Sequence, residues 1–186
     1  MKWLFIKITD IPQSEYQVIY NSLSASRKAH IDRMKIENDR LRSLAATKIL
    51  NTLLCEFGHD KASLETDQNG KPYLSGSDLF FSISHSDTGV VCAVSEKAVG
   101  IDIEKIKPVQ NKLIDYVCNE GEKQYVLSDP KEKSESSVYR RFFEVWTAKE
   151  AFFKKQDGLA KSVRGIDTLL LQKSVYVIED FLITVL

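Results

Sequence analysis

The chain has no surplus of charge. Its 26 lysines and arginines are matched by 26 aspartates and glutamates, which argues against a molecule that coats nucleic acid. Cysteine is scarce: Cys55, Cys92 and Cys118 lie far apart and form no C-x-x-C pair. That pattern excludes a disulfide framework or a cysteine zinc site and points to reduced thiols in a cytoplasm. Long apolar runs are missing, and nothing approaches the ~20 apolar residues of a membrane span. The opening MKWLFIKITD has a short apolar stretch interrupted by Lys7 and closed by Asp10. It reads as a first strand rather than a signal peptide. There is no low-complexity tract and no clear repeat. What remains is a chain of 186 residues with ordinary apolar and charged fractions, long enough for one large domain or two small halves with a sizeable core.

The punctuation of the chain gives a coarse order of elements. A strand at about 2–9 leads to Pro12, and Ser14-Glu15-Tyr16-Gln17 reads as a capping box opening a helix. Ser24 or Ser26 caps a second, basic helix. From 39 to 57, Leu41, Leu44, Ala45, Ile49, Leu53 and Phe57 recur at helical steps, and Gly58 ends the run. Asn69-Gly70-Lys71-Pro72 is a turn. Phe80 to Ser84 and Val90 to Val94 read as strands around Ser86-Asp87-Thr88-Gly89. A strand carrying Asp102 and Glu104 ends before Pro108. A charged, Ser-rich loop spans about 128–137, a helix runs from about 138 to 156 with Gly158 beyond it, and strands near 175–178 and 181–185 close the chain. A boundary near residue 99 divides the chain into halves of similar size, 1–99 and 100–186.

Four constellations could carry chemistry. In AVGIDIEKI, Ile101 and Ile103 face a core on an extended strand, which puts Asp102 and Glu104 together on the other face. In FEVWTAKEAFFKK, Trp146, Lys149, Glu150 and Phe153 fall on one helical face, and Glu150 and Lys154 stand four apart. A surface pair of that kind adds ~0.2–0.5 kcal/mol to a helix, but two charges between aromatics do not make a plain core face. In FSISHSDTG, a strand end gathers hydroxyls, an imidazole and backbone N–H groups, which suits an anion such as phosphate. A serine nucleophile is disfavoured there: the G-x-S-x-G elbow is missing, and Ser84 and Ser86 adjoin His85 in sequence. The stretch 27–42 holds Arg27, Lys28, Arg33, Lys35, Arg40 and Arg42 with His30, and Lys71 adds a further cation. Together these can hold several phosphates of one ligand.

Carboxylates do not gather without reason. If Asp102, Glu104 and Glu150 converged, each pair near 5 Å would repel by about 3 kcal/mol at an effective dielectric of about 20. A fold keeps such a cluster only with a cation or a shared proton. The donors are hard oxygens without Cys or His, which favours Mg²⁺ over zinc or copper. Cationic arms, an anion-binding strand end and a magnesium site point to a pyrophosphate-bearing substrate.

VGIDIEKIKP, followed some forty residues later by FFEVWTAKEAFFKK, resembles the signature pair of the 4'-phosphopantetheinyl transferases of the larger, Sfp type. The G-[IV]-D-[IVL]-E and W-x-x-K-E-[SA]-x-x-K motifs match in order and spacing. Weaker features precede them: D-x-x-R at Asp39 to Arg42, G-K-P at Gly70 to Pro72, and S-H-S at Ser84 to Ser86. The resemblance spans roughly residues 25–160.

The resemblance implies an α/β (α+β) fold of two similar halves related by a pseudo-twofold axis, with coenzyme A in the cleft between them. The first half would hold the nucleotide and phosphates, the second the magnesium site and catalytic helix. It implies transfer of 4'-phosphopantetheine from coenzyme A to a serine of an acyl or peptidyl carrier protein, releasing 3',5'-ADP. Asp102, Glu104 and Glu150 would bind Mg²⁺, with Glu150 or water as acceptor of the serine proton. Lys154 would lie against the pyrophosphate, and Lys149 would play a supporting part. Ser84 and His85 would contact phosphates, Arg42 and Lys71 the nucleotide end, and Arg27 the 3'-phosphate. A further family glutamate falls at Glu120 or Glu122, with Glu122 favoured as a possible base. A cytoplasmic monomer is expected, without nucleic-acid or membrane partners, and the carrier protein would dock near 108–126. The alternatives are a non-catalytic coenzyme A or nucleotide binder and a magnesium-dependent hydrolase of nucleotide pyrophosphates.

Overall fold

The computed structural model describes residues 1–67, 72–127, 135–156 and 165–186. The expected turn at 69–71, with Lys71, most of the Ser-rich loop and Gly158 lie outside these residues. The chain divides into two compact units, Met1–Lys97 and Ala98–Leu186. Helix and strand are mixed in both, as the α/β reading requires.

The first unit is built on an antiparallel sheet of β1 (Lys2–Lys7), β5 (Gly89–Ser95) and β4 (Phe80–Ser86), in the order β1-β5-β4. The central strand, GVVCAVS, is buried at every position. This explains its unbroken apolar run: a strand covered on both faces has no polar side to alternate. The covering helix is α3 (Glu37–Glu56), which buries Leu44, Ile49, Leu50, Leu53 and Leu54 against the sheet. Each such side chain contributes about 1.5–3 kcal/mol on full burial. Gly58 follows at φ +77, a backbone state that Gly adopts without steric penalty.

Two shorter helices precede α3: α1 (Gln13–Ser22) and α2 (Ala25–Asp32). Ser24 caps α2, its side chain accepting from the Arg27 backbone N–H. The capping box expected at Ser14 is not used. Helix α1 begins two residues earlier, at Gln13, with Pro12 in the cap position and no side-chain cap. A hairpin of β2 (Ser63–Thr66) and β3 (Pro72–Ser75) completes the unit. Its strands are four residues each and largely uncovered, which left too weak a pattern to read.

The second unit has its own antiparallel sheet: β6 (Ile101–Lys105), β8 (Phe181–Val185) and β7 (Ser174–Ile178), in the order β6-β8-β7. The central strand, FLITV, is fully buried. Helix α6 (Glu135–Lys155) packs on β6 and β8. Two short helices went unread in the sequence, α4 (Asn111–Val117) and α5 (Glu120–Leu127). Ile114, Val117 and Val126 from them join Phe142, Phe143, Val145 and Leu182 in one apolar cluster. Among the described residues no helix is long and apolar enough to cross a membrane.

Candidate active site

Strand β6 alternates as its sequence demands. Ile101 and Ile103 are buried in the sheet's core, and Asp102 and Glu104 lie on the opposite face. Asp102 is itself buried, at 4% exposure, while Glu104 is half-buried. Helix α6 lies over this face and supplies Glu150, Lys154 and Trp146. The close approach of helix to strand depends on Gly100. A Cβ there would stand 1.8 Å from the carbonyl oxygen of Ala151 and 2.8 Å from its carbon. The glycine before the acidic strand is thus a spacing device: no side chain fits between β6 and α6.

Glu150 senses both acids of the strand. Burial first, and then the Asp102 carboxylate, push the Glu150 carboxyl above its ordinary value, while Lys154 pulls it down and Glu104 pushes it up again. Two donors hold the strand's acids in place. Lys154 Nζ stands 2.7 Å from Asp102 Oδ1 and 3.4 Å from the Ile101 carbonyl oxygen. Trp146 Nε1 donates to Glu104 Oε1 at 3.2 Å. As these side chains are arranged, no three His, Cys, Asp or Glu groups among the described residues form a ready metal cage. The ammonium of Lys154 supplies the positive charge beside Asp102.

Lys149 is adjacent in sequence to Glu150 but takes no part in this face. It is fully buried, pairs with Glu122 Oε2 at 2.9 Å, and donates to the Ile166 carbonyl oxygen at 2.6 Å. The carboxylate of Glu122 is equally buried and fully engaged. Its Oε1 accepts from the backbone N–H and the hydroxyl of Thr168, at 2.9 and 2.8 Å. Its Oε2 also accepts from Asn119 N–H at 2.9 Å, and Asn119 Oδ1 returns the bond to Glu122 N–H at 2.8 Å. This is a reciprocal capping box, written in the sequence as Asn119-x-x-Glu122, and it opens α5. Burial works to raise the Glu122 carboxyl, but the bonds from Thr168, Lys149 and Asn119 outweigh it and hold the group below its ordinary value. The expected base at Glu122 is therefore corrected: a sealed, hydrogen-bonded carboxylate without solvent access has no lone pair to offer a substrate. Glu120, the other candidate, is an exposed partner of Lys123 at 3.0 Å.

The basic and S-H-S residues belong to the first unit. Arg42 donates from Nη1 to the Asp87 carbonyl oxygen at 2.6 Å and pairs with Asp39, so the D-x-x-R residues form an i,i+3 ion pair on α3. Asp87 sits at φ 51 in the turn that follows Ser84-His85-Ser86. Arg42 and the S-H-S strand end are thus brought together. Ser84 is buried and His85 exposed, on opposite faces of β4. Arg27 is nearly buried, donating to Ser43 Oγ at 2.6 Å and Thr66 Oγ1 at 3.2 Å, while its Nε has no hydrogen-bond partner.

Comparison with known proteins agrees with these motifs. The model of the 4'-phosphopantetheinyl transferase superfamily matches residues 98–183, which hold the acidic strand and α6. A 4'-phosphopantetheinyl transferase HetI of Nostoc sp. is 31% identical over 163 residues, 82% of this chain and 67% of the relative. The chain belongs to the 4'-phosphopantetheinyl transferase superfamily. The 4'-phosphopantetheinyl transferase gsp of Aneurinibacillus migulanus is 30% identical over 158 residues, and psf-1 of Bacillus pumilus is 34% identical over 136. The matches cover 83% and 71% of this chain, and 65% and 57% of those relatives' own length. The chain therefore spans less than two thirds of both.

The donor set of this face suits a hard divalent ion. Asp102, Glu104 and Glu150 offer hard oxygens and no sulfur or imidazole, the set that Mg²⁺ prefers. Burial first, and Asp102 and Glu104 after it, raise the Glu150 carboxyl, and the two acid neighbours are the part of that effect a cation would relieve.

Proposed function

We propose that this chain transfers the 4'-phosphopantetheine group of coenzyme A to a serine hydroxyl of an acyl or peptidyl carrier protein, releasing 3',5'-ADP. The observation that carries the reading is the joining of α6 to the acidic face of β6, with Lys154 on Asp102 and Trp146 on Glu104. The sites of Mg²⁺ are Asp102, Glu104 and Glu150. When bound, Mg²⁺ neutralises and orients the diphosphate at which substitution occurs.

The chain's own groups do the rest. Lys154 places an ammonium against the leaving phosphate. Glu150, or water beside it, accepts the serine proton. In the first unit, Arg42, Ser84, His85 and Lys71 bind the phosphates and nucleotide of coenzyme A. Arg27 backs the 3'-phosphate end, held by Ser43 and Thr66. The carrier protein docks near 108–126, where Leu113 and Tyr116 are 44% and 61% exposed. The enzyme works as a cytoplasmic monomer.

The test is direct. The chain is incubated with coenzyme A, Mg²⁺ and an apo carrier protein, and the carrier is weighed by mass spectrometry. Gain of one phosphopantetheine arm, abolished by Asp102→Ala, is the expected result. Cleavage of coenzyme A without gain by the carrier would make the chain a pyrophosphohydrolase. Tight coenzyme A binding with neither reaction would make it a binding protein.

A further inference from the structure

Glu65 is an acid beside a buried arginine, and the chemistry above gives it no part. It lies on β2, next to Thr66, which is one of the two groups that hold the Arg27 guanidinium. Side chains alternate on a strand, so Thr66 shares a face with the buried Leu64, and Glu65 shares the other with Ser63. Hydroxyls gather around the Glu65 carboxylate. Its Oε2 accepts from Ser24 Oγ at 2.7 Å and from Ser26 Oγ, and its Oε1 accepts from Ser63 Oγ at 3.1 Å. Ser24 is also the cap of α2, accepting from the Arg27 backbone N–H at 3.2 Å. The bonds from Ser26 and Ser24, with Ser63 and the charge of Arg27 behind them, outweigh burial and hold the Glu65 carboxyl below its ordinary value. Arg27 in turn needs a counter-charge, because it is 6% exposed and an isolated buried charge is costly. Its two terminal nitrogens donate to Ser43 and Thr66, both neutral. Burial pushes the guanidinium below its ordinary value, and the charge of Glu65 pulls it back.

We propose that Glu65 is a specificity-determining residue: by offsetting the charge of Arg27, it narrows the preference for coenzyme A over its 3'-dephospho form. The inference rests on the transferase reading, which puts the 3'-phosphate at the Arg27 end. Arg27 is nearly covered and its terminal nitrogens are engaged, so it acts on a ligand chiefly as a charge. A charge can be offset by its neighbour. A phosphate monoester carries about −1.5 to −2 at neutral pH, so it gains from Arg27 and loses to Glu65. A ligand without the 3'-phosphate feels much less of either. The tie between β2 and the start of α2 needs only an oxygen that accepts from Ser24, Ser26 and Ser63. The negative charge is the part of Glu65 that reaches a bound phosphate.

The proposal is tested by binding, without turnover. Coenzyme A and 3'-dephospho-coenzyme A are titrated by calorimetry into wild-type protein and Glu65→Gln, in Mg²⁺ without carrier. The glutamine keeps an oxygen to accept from the serines and removes the charge. Glu65→Gln is expected to tighten coenzyme A by roughly threefold or more and to change 3'-dephospho-coenzyme A by less than twofold, with the gain shrinking at high salt. The dephospho ligand also reports whether the variant remains folded. Steady-state transfer is expected to follow, with KM for coenzyme A falling and kcat unchanged. An unchanged ratio of the two affinities would overturn the proposal. So would a loss confined to coenzyme A, which would make Glu65 a support of Arg27 and not its counterweight. Either result leaves the transferase reading standing. If wild-type protein binds neither ligand, the transferase reading falls and the role of Glu65 with it.

Discussion

Lys154 Nζ lies 2.7 Å from Asp102 Oδ1, an ammonium seated on one of the oxygens that would hold a metal ion. Asp102's side chain is 6% exposed and Lys154's 28%, so water screens this contact poorly. If Asp102 holds a divalent ion, the lysine and that ion compete for the same negative charge before substrate binds.

That competition has a measurable sign. Lys154→Met removes the rival cation and is expected to tighten Mg²⁺ binding in the absence of coenzyme A by about 5- to 10-fold, of the order of one ion pair of about 1 kcal/mol near a surface. The same variant is expected to lose transfer activity by ~100-fold or more, because the ammonium facing the leaving phosphate is gone. Calorimetric titration with Mg²⁺ reads the first effect and single-turnover transfer the second. Mg²⁺ affinity that falls in Lys154→Met would show the lysine to be a support of the metal site and not its competitor.

Gly100 ties the motif's glycine to catalysis through distance alone. An alanine Cβ would meet the Ala151 carbonyl oxygen at 1.8 Å. Backbone cannot rotate away, so α6 must move off β6 by roughly 1 Å, a misplacement that typically costs about 100-fold in rate. Gly100→Ala is expected to lose transfer by about that factor, with a destabilisation of ~1–3 kcal/mol from overpacking. Urea unfolding and steady-state kinetics on the same preparation separate the two. Wild-type activity in Gly100→Ala would mean that the spacing of strand and helix does not set the geometry of the acids.

The Lys149–Glu122 pair predicts a stability effect away from the substrate. Both side chains are 0% exposed, and removing one partner of a buried pair typically costs about 3–5 kcal/mol. Glu122→Gln is expected to fall in that range, and Glu122→Gln with Lys149→Met to cost less than the sum of the single variants. The pH dependence has a defined direction. Glu122 is held below its ordinary value of 4.5 in the folded protein. Its contribution is therefore present above pH 4.5 and lost as pH falls through the lowered value. The stability difference between wild type and Glu122→Gln, measured by urea unfolding, should shrink over that window. A difference that stays constant into acid would mean that the carboxylate is not stabilised in its charged form.

The legible parts of this fold were those with a period. Strand β6 could be read because Ile101, Asp102, Ile103 and Glu104 alternate, and α6 and α3 because each has several turns to repeat its apolar spacing. Helices α4 and α5 have seven and eight residues, too few turns to build a pattern. Yet α5 carried a local signal that went unread, the Asn119-x-x-Glu122 box, while the box read at Ser14 was bypassed by a start after Pro12. Charges gave the least away. Glu150 and Lys149 are neighbours, and nothing in their identity says that one faces the acid site while the other is sealed against Glu122. That division depends on Asn119, Ile166 and Thr168, partners distant in sequence from α6.

Trp146 shows how an aromatic in a motif can serve an acid. Its Nε1–H donates to Glu104 at 3.2 Å, and its ring packs against the cluster containing Phe142 and Phe143. A hydrogen bond to a charged group contributes ~1.5–3 kcal/mol. If that bond fixes the carboxylate for metal and substrate, its loss is worth about 10-fold or more in rate at ~1.4 kcal/mol per decade. Trp146→Phe keeps a ring for packing and deletes the donor. It is expected to reduce kcat by about 10-fold and weaken Mg²⁺ binding, with less effect on unfolding in urea. Trp146→Leu, which loses most of the ring contact as well, should add a clear loss of stability. If Trp146→Phe kept wild-type kcat and Mg²⁺ affinity, the indole would be a packing element alone, and the orientation of Glu104 would have to come from elsewhere on β6.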